Sequence, residues 1–255
     1  MTSAAIYGCS GPELTAAERV FFAETRPWGF ILFRRNVENP DQVRALVAAL
    51  RDSIDAPDAP VLIDQEGGRV QRLGPPHWPK YPPGDAYLQA ATDVDGARDL
   101  VRQGARLMAH DLHDLGINVD CVPVLDVPVS GAHDIIGDRA YARDPVPVVH
   151  ADLATLDAWD FVPFRALSDM PLAMTAHVVF DAIDSKRPAT TSKKAIRLMR
   201  EQLGFAGLIM TDDLSMKALS GTLTERAEAA LKAGCDVVLH CNGDLAEMKQ
   251  VAAGT

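Results

Sequence analysis

The stretch from residue 29 to residue 68, GFILFRRNVENPDQVRALVAALRDSIDAPDAPVLIDQEGG, contains two apolar runs on either side of a helical pattern. Val43, Leu46, Val47 and Leu50 recur at the spacing that places apolar side chains on one face of a helix. The flanking runs are short and almost continuously apolar, which is typical of strands buried on both faces of a parallel sheet. Because parallel strands need a crossover between them, the stretch predicts a strand–helix–strand unit.

The same alternation continues along the chain. Seven apolar runs share the character of strands: AAIYGCS, GFILFRRN, PVLIDQEGG, NVDCVPVLDV, PLAMTAHVV, GLIMTDDLS and DVVLHCNG. Charged residues follow nearly every run, at the strand ends where barrel enzymes place their sites, and no G-x-G-x-x-G motif follows the first strand. The sequence therefore predicts an α/β fold, a TIM-type (β/α) barrel in which one strand–helix unit is missing from the usual eight.

Length and charge limit the possible functions. A chain of 255 residues with 47% hydrophobic residues is long enough for one barrel, and we expect a single domain over residues 1–255. The net charge is -10 and no run of Lys or Arg occurs, so nucleic acid is not an expected partner. The first residues, MTSAAIYGCSG, have no positively charged segment followed by a long apolar one, and nowhere do about 18 apolar residues follow one another. We expect a soluble, cytoplasmic protein that does not bind a membrane.

The cysteines support the same location. The chain has four of them, Cys9, Cys121, Cys235 and Cys241, and they form no C-x-x-C pair. Each lies beside an apolar strand-like run, as buried thiols do in a reducing compartment.

The stretch GLIMTDDLSM ends an apolar run in two adjacent carboxylates, Asp212 and Asp213. Taken alone, one acid would cap a helix beginning near Ser215 and the other would be solvated. The other strand ends change this interpretation, because the carboxyl ends of barrel strands meet on one rim. The residues that would converge there are Asp64, Glu66, Asp126, His177, Asp212 and His240.

The stretch LIDQEGGRVQRL adds positive charge to the same rim. Gly67 and Gly68 permit a tight reversal after the strand, and Arg69 and Arg72 lie three apart on the new turn. A guanidinium beside the carboxylate of Asp64 would suit a ligand rich in hydroxyls. Two surface arginines after a Gly-Gly turn would explain the same pattern without a ligand.

A third arginine lies in IIGDRAYARDP, residues 135–145. Arg139 has Asp138 and Asp144 near it in the sequence, and this spacing allows either an ion-paired staple within a loop or a clamp on a ligand.

The histidines and acids at the strand ends are residue types that could also bind a metal ion. The sequence has no H-x-H, no H-E-x-x-H and no carboxylate-rich loop, so we predict no metal site.

Several motifs occur along the chain in one order: LIDQEGGRVQRL, NVDCVPVLDV, IIGDRAYARDP, AMTAHVVF, the short PAT, and LIMTDDLSM. Together they resemble the family 3 glycoside hydrolases, and specifically the bacterial β-N-acetylhexosaminidases that recycle cell-wall fragments. The resemblance covers almost the whole chain. It implies a (β/α) barrel, a retaining mechanism without a cofactor, and a substrate that carries a terminal N-acetylglucosamine, as muropeptides do.

The resemblance also implies roles for individual residues. In the family, the first acid of the DDLSM motif is the nucleophile; here it is Asp212, which would form a glycosyl-enzyme intermediate. Asp64, Arg72 and Arg139 match family positions that bind sugar hydroxyls, and His177 in the TAH motif resembles a residue that lines the sugar pocket or supports the residues that line it.

The sequence departs from the family after the ARDP motif. The family continues with a helix, a strand ending in Lys-His, a Pro-Gly-His-Gly loop, and an Asp-x-His dyad whose histidine is the general acid/base. Here Pro145 is followed directly by VPVVHADLATLDAWDFVPFR, which resembles the sequence after that dyad. We therefore assign the acid/base histidine to no residue, and we predict a break in the chain between Pro145 and Val146.

Two other functions remain open at this point. A non-catalytic sugar-binding relative would keep the sugar-binding residues and lack the acid/base loop. A barrel lyase or isomerase acting on a phosphorylated substrate would need a glycine-rich, basic cradle after the last strands, and LHCNGDLAEM offers one glycine and two acids.

Overall fold

The computed structural model describes residues 1–125, Arg139 and residues 151–255. The chain divides into two compact units. The first comprises Met1–Cys9, Glu24–Trp28 and Pro147–Thr255, and the second comprises Ser10–Ala23 and Gly29–Val146. The single domain over residues 1–255 stays a prediction.

The strands are short. In the described residues they are β1 (Ser3–Gly8), β2 (Pro27–Leu32), β3 (Val61–Ile63), β4 (Gln65–Gly67), β5 (Val70–Gln71), β6 (Val119–Asp120), β7 (Leu172–Met174), β8 (Leu208–Asp213) and β9 (Val237–His240). In the first unit, β1 pairs with β9, β9 with β8, and β8 with β7, all in parallel. In the second unit, β2 pairs with β3 and β3 with β6, again in parallel, while β4 and β5 form an antiparallel hairpin.

Helices follow most of these strands. In the described residues they are α1 (Ala16–Thr25), α2 (Pro40–Ser53), α3 (Gly84–Ala90), α4 (Val94–Asp114), α5 (Leu153–Thr155), α6 (Phe161–Ala166), α7 (Asp181–Asp184), α8 (Lys193–Glu201), α9 (Leu223–Ala233) and α10 (Leu245–Ala252). A π-helical turn, Leu156–Asp160, interrupts the single helix that the pattern LATLDAWDFVPFR predicts. Pro163 lies just beyond it and has no N–H with which to continue an α-helical ladder.

The apolar face of α2 is buried, as the spacing of apolar residues in the stretch 29–68 predicts. Val43, Leu46, Val47 and Leu50 of α2 are each at most 2% exposed. The three residues of β3 are completely buried, which explains why the strand reads as continuously apolar instead of alternating. Burying four such side chains in α2 stabilises the packed helix by several kcal/mol, at about 1.5–3 kcal/mol for each side chain.

Parallel strands joined by helices, with polar side chains at the strand ends, confirm the (β/α) barrel class. Each of the seven predicted apolar runs supplies one parallel strand in the described part of the chain. The predicted break between Pro145 and Val146 lies outside the described residues. Among the helices described, none has the length and apolar character needed to span a lipid bilayer.

Candidate functional site

An ion pair lies at the carboxyl end of β3, in the second unit. Asp64 follows β3 directly, and the hairpin β4–β5 returns the chain so that Arg72 reaches the carboxylate. Nη2 of Arg72 lies 2.5 Å from Oδ2 of Asp64. The two side chains are 25% and 20% exposed, so the pair is shielded but still accessible to a ligand.

The hairpin itself is fixed by Gln65 and by a close backbone approach. The completely buried side chain of Gln65 accepts the N–H groups of Arg72 and Leu73, each at 3.0 Å, and donates to the carbonyl of Leu73. Gly67 has a φ of 87°, and a Cβ there would lie 2.2 Å from the carbonyl oxygen of Pro82. Only glycine fits this position, which confirms the predicted tight reversal.

Arg72 has further features of a ligand-binding arginine. Its guanidinium carbon lies 5.2 Å from the centre of the Phe33 ring, which orients the planar group. Its Nε is buried and finds no hydrogen-bond acceptor among the described residues. A buried donor without a partner costs about 1–3 kcal/mol, and an oxygen of a ligand would remove that penalty.

Arg139 makes an ion pair with Glu66. Nε of Arg139 donates to Oε2 of Glu66 at 2.8 Å, and Nη2 donates to Oε1 at 2.7 Å. The Glu66 side chain is only 7% exposed. A carboxylate at that depth needs a counter-charge, so the contact acts as a staple between Arg139 and strand β4, whereas the staple within the loop and the clamp on a ligand stay predictions. The sequence neighbours Asp138 and Asp144 lie outside the described residues.

Asp120 is a candidate that the sequence reasoning missed. It ends β6, and its Oδ1 accepts the N–H of Gln65 at 3.0 Å. Burial, with smaller contributions from the negative charges of Asp64 and Glu66, raises the pKa of this carboxyl to about 7. The signal was an acid within the largely apolar run NVDCVPVLDV. Asp126 of the same stretch, which we expected at the rim, lies outside the described residues.

The adjacent acids at the end of β8, in the first unit, have different surroundings. The Asp213 carboxylate accepts the N–H of Ser215 at 3.1 Å, its hydroxyl at 2.5 Å, and the N–H of Cys241 at 3.2 Å. Asp212 accepts the N–H of Asp213 through Oδ1 at 2.7 Å. The expectation of a helix beginning near Ser215 was wrong, because turns follow β8 and the next helix begins only at Leu223.

His177 holds the backbone beside these acids. Its Nε2 lies 2.9 Å from the carbonyl oxygen of Asp213, so this nitrogen must carry the proton that is donated. Its Nδ1 lies 2.8 Å from the hydroxyl oxygen of Thr190, which also contacts the hydroxyl of Thr175. Both ring nitrogens therefore have protein partners, and the imidazole fixes the end of β8.

His240, also expected at the rim, is completely buried. Its Nε2 lies 2.8 Å from Oε2 of Glu247 on α10, so the imidazole contacts that helix.

No cluster of three or more potential metal ligands is present in the described part of the chain. The four cysteines, all in the described part of the chain, form no disulfide bond.

Comparisons with known proteins show which family the chain resembles. The glycosyl hydrolase family 3 N terminal domain matches residues 15–154 and 146–254. A β-hexosaminidase from Methylococcus capsulatus is 35% identical, over 91% of this chain and 80% of that protein. The structure of NagZ from Neisseria gonorrhoeae with N-trifluoroacetyl-D-glucosamine has a TM-score of 0.83 and 27% identity, and the match covers 99% of this chain and 88% of that one.

The lengths of the alignments are relevant to the strand–helix unit that the sequence predicts to be missing. The match to a β-hexosaminidase from Xanthomonas campestris is 33% identical and covers 98% of this chain and 88% of that protein. It runs over 293 residues, which exceeds the 255 residues of this chain by 38. The two family matches overlap at residues 146–154, immediately after the Pro145–Val146 join. On these matches, the chain belongs to glycosyl hydrolase family 3.

Proposed function

We propose that the protein is a retaining exo-β-N-acetylglucosaminidase that removes a terminal, non-reducing N-acetylglucosamine from muropeptide-type substrates. The observation that carries the proposal is the contrast between the two acids at the end of β8. The Asp213 carboxylate accepts three hydrogen bonds, two from Ser215 and one from Cys241. Asp212 accepts the N–H of Asp213 and occupies the nucleophile position of the DDLSM motif.

The reaction proceeds in two steps. A carboxylate oxygen of Asp212 attacks the anomeric carbon, the bond from that carbon to the aglycone oxygen breaks, and its electron pair leaves with that oxygen. The oxygen must take a proton from a general acid. Water then gives a proton to the conjugate base of that acid as its oxygen bonds to the same carbon, the ester bond to Asp212 breaks, and the sugar and the carboxylate are released. His177 holds the Asp213 carbonyl, and this restrains the backbone next to the nucleophile.

Asp64, Arg72 and Arg139 form the sugar-binding group of the proposal. Asp64 accepts hydrogen bonds from hydroxyls, and the buried Nε of Arg72 donates to a sugar oxygen. The ion pair with Glu66 orients the Arg139 guanidinium. The sugar class is supported by the names of the relatives and by the glucosamine derivative bound to the gonococcal NagZ.

The second candidate is a sugar-binding relative without catalysis. It is favoured by one observation: no Pro-Gly-His-Gly loop and no Asp-x-His dyad follow the ARDP motif, and the one Asp-x-His in the sequence, Asp111 to His113, lies in helix α4. His177 does not replace it, because both of its ring nitrogens already contact protein atoms. If the protein is a glycosidase, the general acid/base group comes from the helix, strand and loop that the family has between the positions of Pro145 and Val146.

An activated substrate separates the two candidates. The 2,4-dinitrophenyl β-glycoside of N-acetylglucosamine has a leaving group that departs without protonation, so release of dinitrophenolate tests the nucleophile without the acid. We expect Asp212→Asn to lower this rate by about 10³-fold or more and Asp213→Asn to retain measurable activity. The opposite pattern would show that the wrong carboxylate was chosen. Binding of N-acetylglucosamine without any release by the unsubstituted protein would favour the sugar-binding relative.

The proposed setting is cytoplasmic recycling of cell-wall fragments. Four cysteines without a disulfide bond among them support a reducing compartment. Intact disulfide-free protein recovered from the cytosolic fraction of its native cells is the expected result, and recovery from an oxidising compartment would contradict it.

A further inference from the structure

Thr190 ends the short motif PAT, one of the motifs on which the family resemblance depends. It lies in the first unit, in one turn of 3₁₀-helix formed by Ala189–Thr191, and its side chain is completely buried. A buried hydroxyl costs free energy unless it forms hydrogen bonds. The hydrogen bonds of this hydroxyl lead to the two acids at the end of β8.

The Thr190 hydroxyl is the protein partner of Nδ1 of His177. Oγ1 of Thr190 lies 2.8 Å from this nitrogen, 2.9 Å from the hydroxyl oxygen of Thr175 and 3.0 Å from the carbonyl oxygen of Ala176. A hydroxyl donates to an unprotonated ring nitrogen and accepts from a protonated one. Thr190 can therefore hold Nδ1 in either protonation state of the ring.

The backbone around Thr190 is itself fixed on both sides. The N–H of Ala189 donates to the carbonyl of Val178 at 2.8 Å. On the other side, the hydroxyl of Ser192 caps α8 by accepting the N–H of Ala195 at 3.2 Å. A side chain on such a backbone holds its partner in one orientation, as the support of a functional site requires.

His177 transmits this restraint to β8. Its Nε2 donates to the Asp213 carbonyl at 2.9 Å. An imidazole held only at Nε2 would still turn about its side-chain bonds, and the second bond at Nδ1 removes that freedom. Asp212 directly precedes Asp213 on the strand, so a fixed Asp213 carbonyl restrains the backbone that carries the Asp212 carboxylate. A displacement of about 1 Å at a reacting group can cost about 100-fold in rate.

We propose that Thr190 is a positioning residue for the transfer of the sugar to Asp212, and that it acts through His177. This inference rests on the proposed function, in which Asp212 is the nucleophile. It adds a buried hydroxyl that sets the orientation of the imidazole and, through it, the position of the nucleophile.

Three substitutions at Thr190 test the role of the hydroxyl. Thr190→Val keeps the shape of the side chain and removes the hydroxyl, Thr190→Ala removes it with a smaller side chain, and Thr190→Ser keeps it. With protein in excess over the 2,4-dinitrophenyl glycoside, a single turnover measures the first chemical step. We expect its limiting rate to fall about tenfold in the valine and alanine variants and to stay within about threefold in the serine variant. The affinity for N-acetylglucosamine, measured by calorimetry, should be unchanged in all three.

The control is Thr191→Val, the same change at the next residue. The Thr191 hydroxyl lies 3.5 Å from the carbonyl of Pro188 and is not part of the contacts to His177. This variant should keep the rate of the unsubstituted protein. Normal rates in both Thr190→Val and Thr190→Ala would overturn the inference, and so would a serine variant as slow as those two.

A double-mutant cycle tests whether Thr190 acts through the imidazole. The double variant Thr190→Val with His177→Ala should be no slower than His177→Ala alone. Losses that multiply in the double variant would show independent roles and overturn the inference.

Asp212→Asn, measured in the same assay, separates this inference from the proposed function. If the unsubstituted protein releases no dinitrophenolate, or if Asp212→Asn releases it equally fast, the proposed function fails, and this inference fails with it. If Asp212→Asn is inactive while the valine and alanine variants at Thr190 react normally, only this inference fails.

Discussion

Replacing Asp120 by asparagine is expected to make the protein more stable at about pH 8 and to leave its stability at about pH 4 nearly unchanged. The Asp120 carboxyl is partly buried at the end of β6, where its Oδ1 accepts the N–H of Gln65. An asparagine keeps this acceptor oxygen and nearly the same shape. It cannot ionise, so the substitution isolates the effect of the negative charge beside Asp64 and Glu66.

The magnitude follows from the pKa. Burial first, and then repulsion by Asp64 and Glu66, raises the pKa of Asp120 from 3.8 to about 7 in the folded protein. Between these values the unfolded chain binds fewer protons than the folded one, so stability falls as the pH rises through this range. A shift of about three units corresponds to at most about 4 kcal/mol at 1.36 kcal/mol per unit. Screening by solvent reduces this to about 2 kcal/mol.

Urea unfolding followed by circular dichroism measures the difference. The unfolding free energy of Asp120→Asn minus that of the unsubstituted protein should increase by about 2 kcal/mol between about pH 4 and about pH 8. Asp58→Asn, at an exposed position, is the control and should show no such increase. A difference for Asp120→Asn that does not depend on pH would refute the reasoning, because it would show that Asp120 is ionised in the folded protein throughout.

Three further substitutions have distinct expected outcomes. Arg72→Ala should weaken binding of N-acetylglucosamine by about 1.5–3 kcal/mol in calorimetry, and unchanged affinity with lower stability would show that the arginine is structural. Arg139→Ala leaves the buried Glu66 without its partner and should lower the unfolding free energy by about 3 kcal/mol, with partial recovery in Arg139→Lys; an unchanged value would exclude the staple. Gly67→Ala, at a φ of 87°, should destabilise by more than about 1 kcal/mol in urea, unlike Gly11→Ala, where a Cβ meets open space.

The parallel strands and most helices could be predicted from sequence because their signals are local. Apolar runs identified each strand, and the spacing from Val43 to Leu50 identified the buried face of α2. Gly234 follows the helical pattern LTERAEAALKA, where a left-handed glycine commonly ends a helix, and it ends α9 with a φ of 113°. Such features depend on a few neighbouring residues, so a single sequence contains them.

The parts that could not be predicted depend on contacts between distant residues. The partner of Arg139 is 73 residues away in the sequence, and nothing in the spacing of IIGDRAYARDP points to Glu66. The raised pKa of Asp120 depends on burial and on acids from another strand. The turns after Asp213 replaced the expected helix because the Asp213 carboxylate bonds Ser215 within the turn instead of capping a helix.

The central claim is that Asp212 forms a covalent bond to the sugar. Its most direct test is mass spectrometry on protein quenched during turnover of the 2,4-dinitrophenyl glycoside, followed by proteolysis. The expected result is one N-acetylglucosaminyl ester on the peptide that contains GLIMTDDLSM, with fragmentation placing it on Asp212, and no ester in Asp212→Asn. An ester on Asp213 or on another carboxylate, or release of dinitrophenolate without any ester, would contradict the account.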